Sequence, residues 1–160
     1  MIRLVGASIR GLSHERLDIP CQDSHLCCLL KNGCVLLAVA DGAGSALYAH
    51  VGSMCALETV KALLSPKNLR FEEPEAFWQG LFDEVHQRVL SALEAEAERL
   101  AVELRELATT LLVALSFPQG LVSAQIGDGA LVFREPQGDL MAFSSPRTSE
   151  YHNETVFVTS

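Results

Sequence analysis

An apolar run that ends in an acid and two glycines, Cys34 to Gly44, constrains the fold of this chain more than any other feature. The run is typical of a buried strand that delivers the Asp41 carboxylate to a loop, where glycines let the backbone approach a ligand closely. Mg²⁺ and Mn²⁺ prefer carboxylate and carbonyl oxygens, so Asp41 and the carbonyl of Gly42 predict a hard-cation site. The alternative is a plain Asp-Gly turn after a strand.

Size and charge exclude several classes of protein. A chain of 160 residues, 49% of them hydrophobic, predicts a single domain over residues 1–160 with a substantial core. Its net charge of -8 argues against nucleic acid as a partner, because a binder of the phosphate backbone carries a basic surface. No stretch is long and apolar enough to span a membrane, and no basic region leads into an apolar signal segment. We therefore expect a cytoplasmic protein that does not bind membranes.

Cysteine usage favours free thiols over a metal or disulfide framework. The chain has five cysteines, an odd number, and three of them lie in apolar runs, so reduced thiols are the simplest interpretation. A zinc-stabilised domain is the alternative, but paired C-x2-C spacings are missing, and Cys27 and Cys28 would point to opposite faces of a strand. The residues that suggest it are Cys21, His25, Cys27, Cys28 and Cys34.

The first half of the chain predicts strands and then helices. Met1 to Arg10 is expected to form a strand, and the runs His25 to Leu30 and Cys34 to Ala40, joined by Lys31-Asn32-Gly33, predict an antiparallel hairpin. A helix from an N-cap at Ser45 to about Leu64 follows, with inward positions predicted at Leu47, Val51, Met54, Cys55 and Leu63. Small residues on much of its remaining surface would allow close packing on a sheet: Ala46, Ala49, Gly52, Ser53 and Ala56.

The second half predicts a long helix and a strand meander. The helix begins near Pro74, and its apolar spacing runs through Phe77, Leu81, Val85, Val89, Leu93, Leu100 and Leu104. The predicted strands are Thr109 to Phe117, Leu121 to Ile126, Ala130 to Arg134, Leu140 to Phe143 and, at the end, Val156 to Val158. This order indicates an α+β domain with helices on one face of a mostly antiparallel sheet. Three acids at strand ends, Asp23, Asp41 and Asp128, could then converge at one rim of the sheet.

Four ordered motifs resemble the metal-dependent protein phosphatases of the PP2C type, in their bacterial form. They are Gly11-Leu-Ser-His14 leading to Pro20-Cys-Gln-Asp23, Val39-Ala-Asp41-Gly-Ala-Gly44, Ala108-Thr-Thr-Leu111, and Ile126-Gly-Asp128-Gly129. The resemblance covers nearly the whole chain. It implies an α-β-β-α sandwich, in which two stacked antiparallel sheets are flanked by helices and two metal ions occupy a cleft at one edge.

The resemblance also implies roles for individual residues. Asp41 is similar to the carboxylate that bridges the two metals, and Gly42 to the residue whose carbonyl binds one of them. Asp23, with Gln22, matches the early acidic pair that holds a metal directly or through water. Asp128 matches an acid that some bacterial members use for a third, weaker metal, although a turn acid is the alternative. The cofactors implied are Mn²⁺ or Mg²⁺, two or more ions in the complete site.

The implied activity is hydrolysis of phosphoserine and phosphothreonine in phosphoproteins by a metal-activated water. A metal pair lowers the pKa of a bridging water and neutralises charge on the phosphoryl oxygens, so no protein nucleophile is needed. An arginine near the first motif usually anchors the phosphate, because a guanidinium matches its geometry. Arg16 is the nearest candidate and Arg10 the alternative, and either can equally be a surface arginine.

The chain also departs from the family pattern. Ala43 occupies the place where some relatives carry a histidine as a proposed general acid, and His14 is interpreted as a local hydrogen-bonding residue. Family members continue past the region that Glu150 to Thr155 resembles, into two more metal-binding aspartates. We therefore expect this chain to lack the C-terminal portion of the fold and to hold only part of the two-metal site. A catalytically inactive pseudophosphatase, or a regulatory module that binds phosphoproteins, is the alternative function.

Overall fold

Helices and antiparallel strands make up most of the computed structural model, which describes residues 2–134, 138–142 and 155–160. The helices in this part of the chain are α1 (Leu12–Arg16), α2 (Ala49–Leu64), α3 (Glu75–Leu100) and a 3-10 helix (Leu104–Leu107). The strands are β1 (Ser24–Leu29), β2 (Val35–Ala40), β3 (Leu111–Phe117), β4 (Gly120–Ile126), β5 (Val132–Arg134) and β6 (Leu140–Ala142). None of the helices described is long and apolar enough to cross a bilayer.

The main sheet has four antiparallel strands in the order β1-β2-β3-β4, and β5 pairs with β6 in a separate two-stranded sheet. The predicted hairpin between β1 and β2 is confirmed. Its turn uses Gly33 at φ +81°, a conformation that glycine adopts without steric cost, and the Asn32 side chain accepts a hydrogen bond from the Cys34 N–H at 3.2 Å. The α+β class predicted from the sequence is confirmed.

The core lies between one face of this sheet and the helices α2 and α3. Along β2, the buried side chains of Leu36, Ala38 and Ala40 alternate with Leu37 and Val39, which are less buried. This two-residue period is the one expected when a strand presents alternate side chains to a core. The helices therefore cover one face of the sheet, and the acids at the strand ends stay at its rim.

The predicted inner face of helix α2 is partly confirmed, because Val51, Cys55 and Leu63 pack against the core while they stay partly exposed. The helix begins at Ala49, with Tyr48 rather than Ser45 at the N-cap, and Leu47 and Met54 are exposed. A Cβ on Gly52 would lie 2.1 Å from the Leu107 carbonyl oxygen, so the helix touches the backbone of the 3-10 helix directly. Such close packing leaves room only for small side chains in the first half of the helix, where Ala49, Gly52, Ser53 and Ala56 are buried. The large residues Leu57, Val60 and Leu64 are buried further along the helix.

Helix α3 confirms the predicted start at Pro74, which occupies its N-cap. It ends earlier than its apolar spacing indicated, because Ala101 adopts the left-handed conformation at φ 54°. Leu104 consequently belongs to the 3-10 helix. Phe77, predicted to point inward, is partly exposed, and the neighbouring Trp78 is buried in its place.

Two predicted strands are not formed. Residues 2–10 have no sheet pairing and cross the outer face of the sheet, where the Val5 carbonyl accepts a hydrogen bond from the Cys27 thiol at 3.7 Å. Residues 156–158 also lie outside any strand, and the Val158 N–H donates to the Thr109 carbonyl at 2.9 Å. A strand needs a paired neighbour along its length, and neither segment has one. Phe143, predicted to end a strand, and residues 144–154 of the predicted polar stretch lie outside the described residues.

Candidate metal centre

A cleft of about 410 Å³ brings the three predicted acids together at one rim of the main sheet. Asp23 immediately precedes β1 and Asp41 immediately follows β2, and the pairing of Ser24 with Ala40 places these two ends side by side. Asp128 follows β4 two residues beyond its last member, and its side chain lines the same cleft. The antiparallel order of the sheet thus produces the convergence that the sequence predicted.

The Asp41 carboxyl group lies near two other carboxyl groups, those of Asp23 and Asp128. Its pKa is raised to about 6, first by burial, next by a hydrogen-bonding contact with the Asp23 carboxyl group, and then by the charges of Asp23 and Asp128. Each of these causes disfavours the ionised form. A divalent cation in the cleft would reverse the effect, because opposite charge favours the carboxylate. The arrangement is therefore suited to a cation.

The backbone of Asp41 is held on both sides by two buried threonines of the loop that precedes β3. The Asp41 N–H donates to Thr110 Oγ1 at 2.9 Å, and its carbonyl accepts from the Thr110 N–H at 2.8 Å and from Thr109 Oγ1 at 3.1 Å. These bonds leave the Asp41 backbone little freedom. The sequence motif Ala108-Thr-Thr-Leu111 indicated that the threonines matter, but only the structure shows that they position Asp41.

Gly42 occupies a site with no room for a side chain. A Cβ on Gly42 would lie 2.6 Å from the Gln22 carbonyl oxygen and 2.8 Å from the Ala49 carbonyl oxygen. The Gln22 side chain is buried and donates to the Ala46 carbonyl at 3.3 Å, while its Oε1 has no partner among the described residues. Gly42 therefore lies against the start of α2 and the segment before β1, and it is buried directly after Asp41.

The loop of Asp128 is held by side-chain hydrogen bonds from Gln125 and Thr155, whereas the Asp41 backbone is bonded to the two buried threonines. Gly127 adopts φ +106°, and Gln125 donates from Nε2 to the carbonyls of Gly127, at 2.9 Å, and Gly129. Thr155 Oγ1 donates to the Asp128 carboxylate at 3.2 Å. Sequence reasoning missed Gln125, since a lone glutamine on a strand carries no specific signal. It also missed Thr155, because that residue is 27 positions from Asp128.

The two candidate arginines lie apart from the cleft. Arg16 is exposed at the end of α1 and has no ion pair or hydrogen bond with the residues that the structure describes. Arg10 is half-buried, donates to the Glu15 carbonyl at 3.2 Å and lies 3.7 Å from the Asp18 carboxylate. Neither side chain lines the cleft, which is bordered on this side by Ala7, Ser8 and Ile9.

The donor set fits part of a hard-cation site. The neighbouring carboxylates of Asp23 and Asp41 are oxygen ligands of the kind that Mg²⁺ and Mn²⁺ prefer. Within residues 2–134, 138–142 and 155–160, no group of three or more His, Cys, Asp or Glu side chains is close enough to form a complete set. The five cysteines are free thiols. The side chains of Asp23 and Asp41 therefore fit a divalent cation as a partial set of ligands.

Comparison with known proteins gives the family. The sequence profile described as Protein phosphatase 2C matches residues 10–160. Serine/threonine-protein phosphatase 3 of Escherichia coli (strain K12) is 37% identical over 163 residues, which cover 98% of this chain and 62% of that protein. The chain belongs to the protein phosphatase 2C family, which implies dependence on a divalent metal.

Solved structures show the same fold. The serine/threonine phosphatase Stp1 from Staphylococcus aureus superposes with a TM-score of 0.64 at 20% identity, over 79% of this chain and 48% of that one. A crystal structure of a bacterial serine phosphatase gives a TM-score of 0.62 at 20% identity, over 79% and 49% of the two chains. The chain thus spans about half to three-fifths of the length of these relatives. The predicted resemblance to the family is confirmed.

Proposed function

We propose that this chain is the N-terminal part of the catalytic domain of a protein serine/threonine phosphatase, with residues 1–160 forming one domain. The observation that carries the proposal is the pair of carboxyl groups, Asp23 and Asp41, at the rim of the sheet. Burial and like charge disfavour the ionised form of Asp41, and a bound cation would stabilise it. Its substrates are phosphoserine and phosphothreonine in proteins. Its cofactor is Mn²⁺ or Mg²⁺, and the free cysteines support a reducing, cytoplasmic location.

Each ligand has a role in this proposal. Asp41 would hold two ions through its carboxylate, Gly42 would contribute its carbonyl oxygen, and Asp23 would bind directly or through water. Asp128 would contribute to a further, weaker site. When bound, the metal pair would supply a water of lowered pKa and neutralise charge on the phosphoryl oxygens. The hydrogen bonds between the Asp41 backbone and the two threonines, Thr109 and Thr110, already fix the residue that would hold the metal.

Arg16 is the proposed anchor for the substrate phosphate. Arg10 already contacts Asp18 and the Glu15 carbonyl, whereas Arg16 has no such partner in the part of the chain described. A guanidinium without a partner can form paired hydrogen bonds to phosphate oxygens. Arg16→Ala should raise KM more than Arg10→Ala does, and the reverse order would transfer the role to Arg10.

Turnover in the presence of metal tests the proposal. The protein is titrated with Mn²⁺ while hydrolysis of a phosphothreonine peptide and of an aryl phosphate is followed. We expect metal-dependent turnover that is lost in Asp41→Asn and retained in Asp139→Asn, which removes an exposed acid next to β6. Turnover that survives in Asp41→Asn would contradict the proposal. Tight phosphopeptide binding without turnover at saturating Mn²⁺ would instead support the phosphoprotein-binding module.

A further inference from the structure

A groove runs between helix α3 and strand β4. It consists of two adjoining cavities of about 850 and 200 Å³, and Phe82 and Asp83 line both of them. We call it the α3–β4 groove. None of the residues that form the proposed metal centre lines it, so it is a separate feature of the surface.

The groove runs along β4 and also reaches the sheet face beneath α3. Leu121, Val122 and Ser123 line one cavity, and Ala124, Gln125 and Ile126 line the other, together with Leu111 and Val113 of β3. Successive side chains of a strand point to opposite faces, so cavities that meet six consecutive residues of β4 include its edge. In the part of the chain described, β4 is the last strand of its sheet. An exposed edge of this kind can pair with an extended peptide.

Aromatic rings form the floor of the larger cavity. Phe71, Trp78 and Phe82 line it, and the ring of Phe117 supports two of them. The Phe117 ring centroid lies 5.9 Å from that of Phe71 and 5.8 Å from that of Trp78. Trp78 is nearly buried and its Nε1–H donates to the Glu73 carbonyl at 3.1 Å. These contacts hold the floor in one arrangement before any ligand arrives.

The rim of the groove is acidic. Glu73, Glu75 and Asp83 line it, and none of the ion pairs found among the described residues uses any of the three. No lysine or arginine lines either cavity. A second copy of this chain, at a net charge of -8, would meet the groove with like charge. Charge complementarity therefore points to a basic occupant.

We propose that the α3–β4 groove binds an extended segment of the phosphoprotein partner, rich in lysine and arginine, by strand addition to β4. The identity of the partner rests on the proposed phosphatase function. Ile126 lines both the groove and the metal cleft, and Asp128 follows it by two residues. The groove therefore leads to the metal centre, and a segment docked in it lies next to the phosphorylated residue in the partner's sequence.

Direct peptide binding tests the groove without any need for turnover. The probe is a fluorescein-labelled nine-residue peptide that alternates lysine and valine, and its anisotropy is measured with the 160-residue chain in EDTA. We expect saturable binding that weakens with salt, and none for the matched peptide with glutamate in place of lysine. N-methylation of alternate backbone amides should abolish binding for only one of the two alternating sets, because only one edge of the peptide pairs with β4.

A matched pair of charge-reversal variants locates the binding. Glu75→Lys combined with Asp83→Lys should weaken binding by about tenfold or more, since both side chains border the groove. Glu94→Lys combined with Glu98→Lys makes the same charge change at exposed positions of the same helix outside the groove and should weaken binding less than about twofold. Equal losses in the two variants would overturn the proposal, because net charge alone would explain them.

The remaining outcomes separate this inference from the proposed function. Asp41→Asn should leave peptide affinity unchanged while it removes hydrolysis of the aryl phosphate. If wild type hydrolyses the aryl phosphate but does not bind the lysine peptide, the groove proposal fails and the phosphatase proposal stands. If the lysine peptide binds and no phosphate ester is hydrolysed, the groove proposal stands and the phosphatase proposal fails. Dimerisation that the double groove variant abolishes would assign the groove to a second copy and overturn the proposal.

Discussion

The loops of Asp41 and Asp128 look alike in sequence, since each is a strand followed by aspartate and glycine, yet the structure supports them differently. The Asp41 backbone is hydrogen-bonded on both sides to Thr109 and Thr110, which are buried. The Asp128 loop is held by the side chain of Gln125, by the packing of Gly127 against Thr110, and by a contact between Thr155 and the carboxylate at the surface.

The difference follows from the position of the preceding strand. Strand β2 lies between β1 and β3, so its end has neighbours on both sides, whereas β4 is the last strand of the sheet as described. The backbone of Asp41 is therefore held by hydrogen bonds from the neighbouring segment, whereas the structure gives no such bonds to the Asp128 backbone among the described residues. We therefore expect Asp41 to dominate metal affinity and Asp128 to modulate it.

The largest effect on stability is expected at the glycines beside the two acids. Gly42→Ala would bring a Cβ within 2.6 and 2.8 Å of two backbone carbonyl oxygens, so it should destabilise the fold by about 3 kcal/mol. At Gly129 the nearest atom would be 3.8 Å away, so Gly129→Ala should change stability by less than about 1 kcal/mol. Urea unfolding measures the free energy of unfolding of both variants. An equal loss of stability in Gly42→Ala and Gly129→Ala would contradict the difference proposed between the two loops.

A smaller effect is expected at the two threonines. Thr110→Val keeps the shape of the side chain but leaves the Asp41 N–H without its acceptor, at a cost of about 2 kcal/mol. The matched Thr155→Val removes an exposed bond to Asp128 and should cost less than about 0.5 kcal/mol. Thermal unfolding of the metal-free variants distinguishes the two, and a Thr155→Val variant as unstable as Thr110→Val would show that both loops are structural.

The smallest effect concerns pH. The pKa of Asp41 in the folded, metal-free chain, about 6, lies above its ordinary value of 3.8, so the fold disfavours the ionised form. The penalty is fully present above pH 6 and disappears as the pH falls towards 3.8. Asp41→Asn should therefore stabilise the metal-free chain at pH 7.5, by less than about 1 kcal/mol because water screens the group, and less at pH 5. A stabilisation that grows as the pH falls would contradict this account.

Much of the sheet and of the metal centre could be predicted from the sequence, because short local patterns specify the hairpin that brings the acids together. The hairpin was predictable from Lys31-Asn32-Gly33 between two apolar runs, and the convergence of Asp23 with Asp41 followed from it. The positions of residues 2–10 and 156–158 were not predictable in this way, because a strand depends on a neighbour that periodicity does not reveal.

The buried face of α2 shows a second limit. Large apolar residues normally indicate the inner face, yet Leu47 and Met54 are exposed. In the first half of α2 the backbone of the 3-10 helix approaches Gly52 so closely that small residues are buried there, and large ones are buried only further along the helix. The groove beside α3 was also not predicted from the sequence, since it forms only where residues 71–83 pack beside the distant strand β4. Contacts between distant segments decide such features, and single-sequence patterns record them only weakly.

Mn²⁺ binding measured by isothermal titration calorimetry tests the central claim most directly. At pH 7.5, wild type should bind Mn²⁺, Asp41→Asn should bind at least about a hundredfold more weakly, and Asp128→Asn should lose less than about tenfold. Asp139→Asn, as a control for the loss of a surface charge, should match wild type. Unchanged Mn²⁺ affinity in Asp41→Asn, or a greater loss in Asp128→Asn than in Asp41→Asn, would contradict the account.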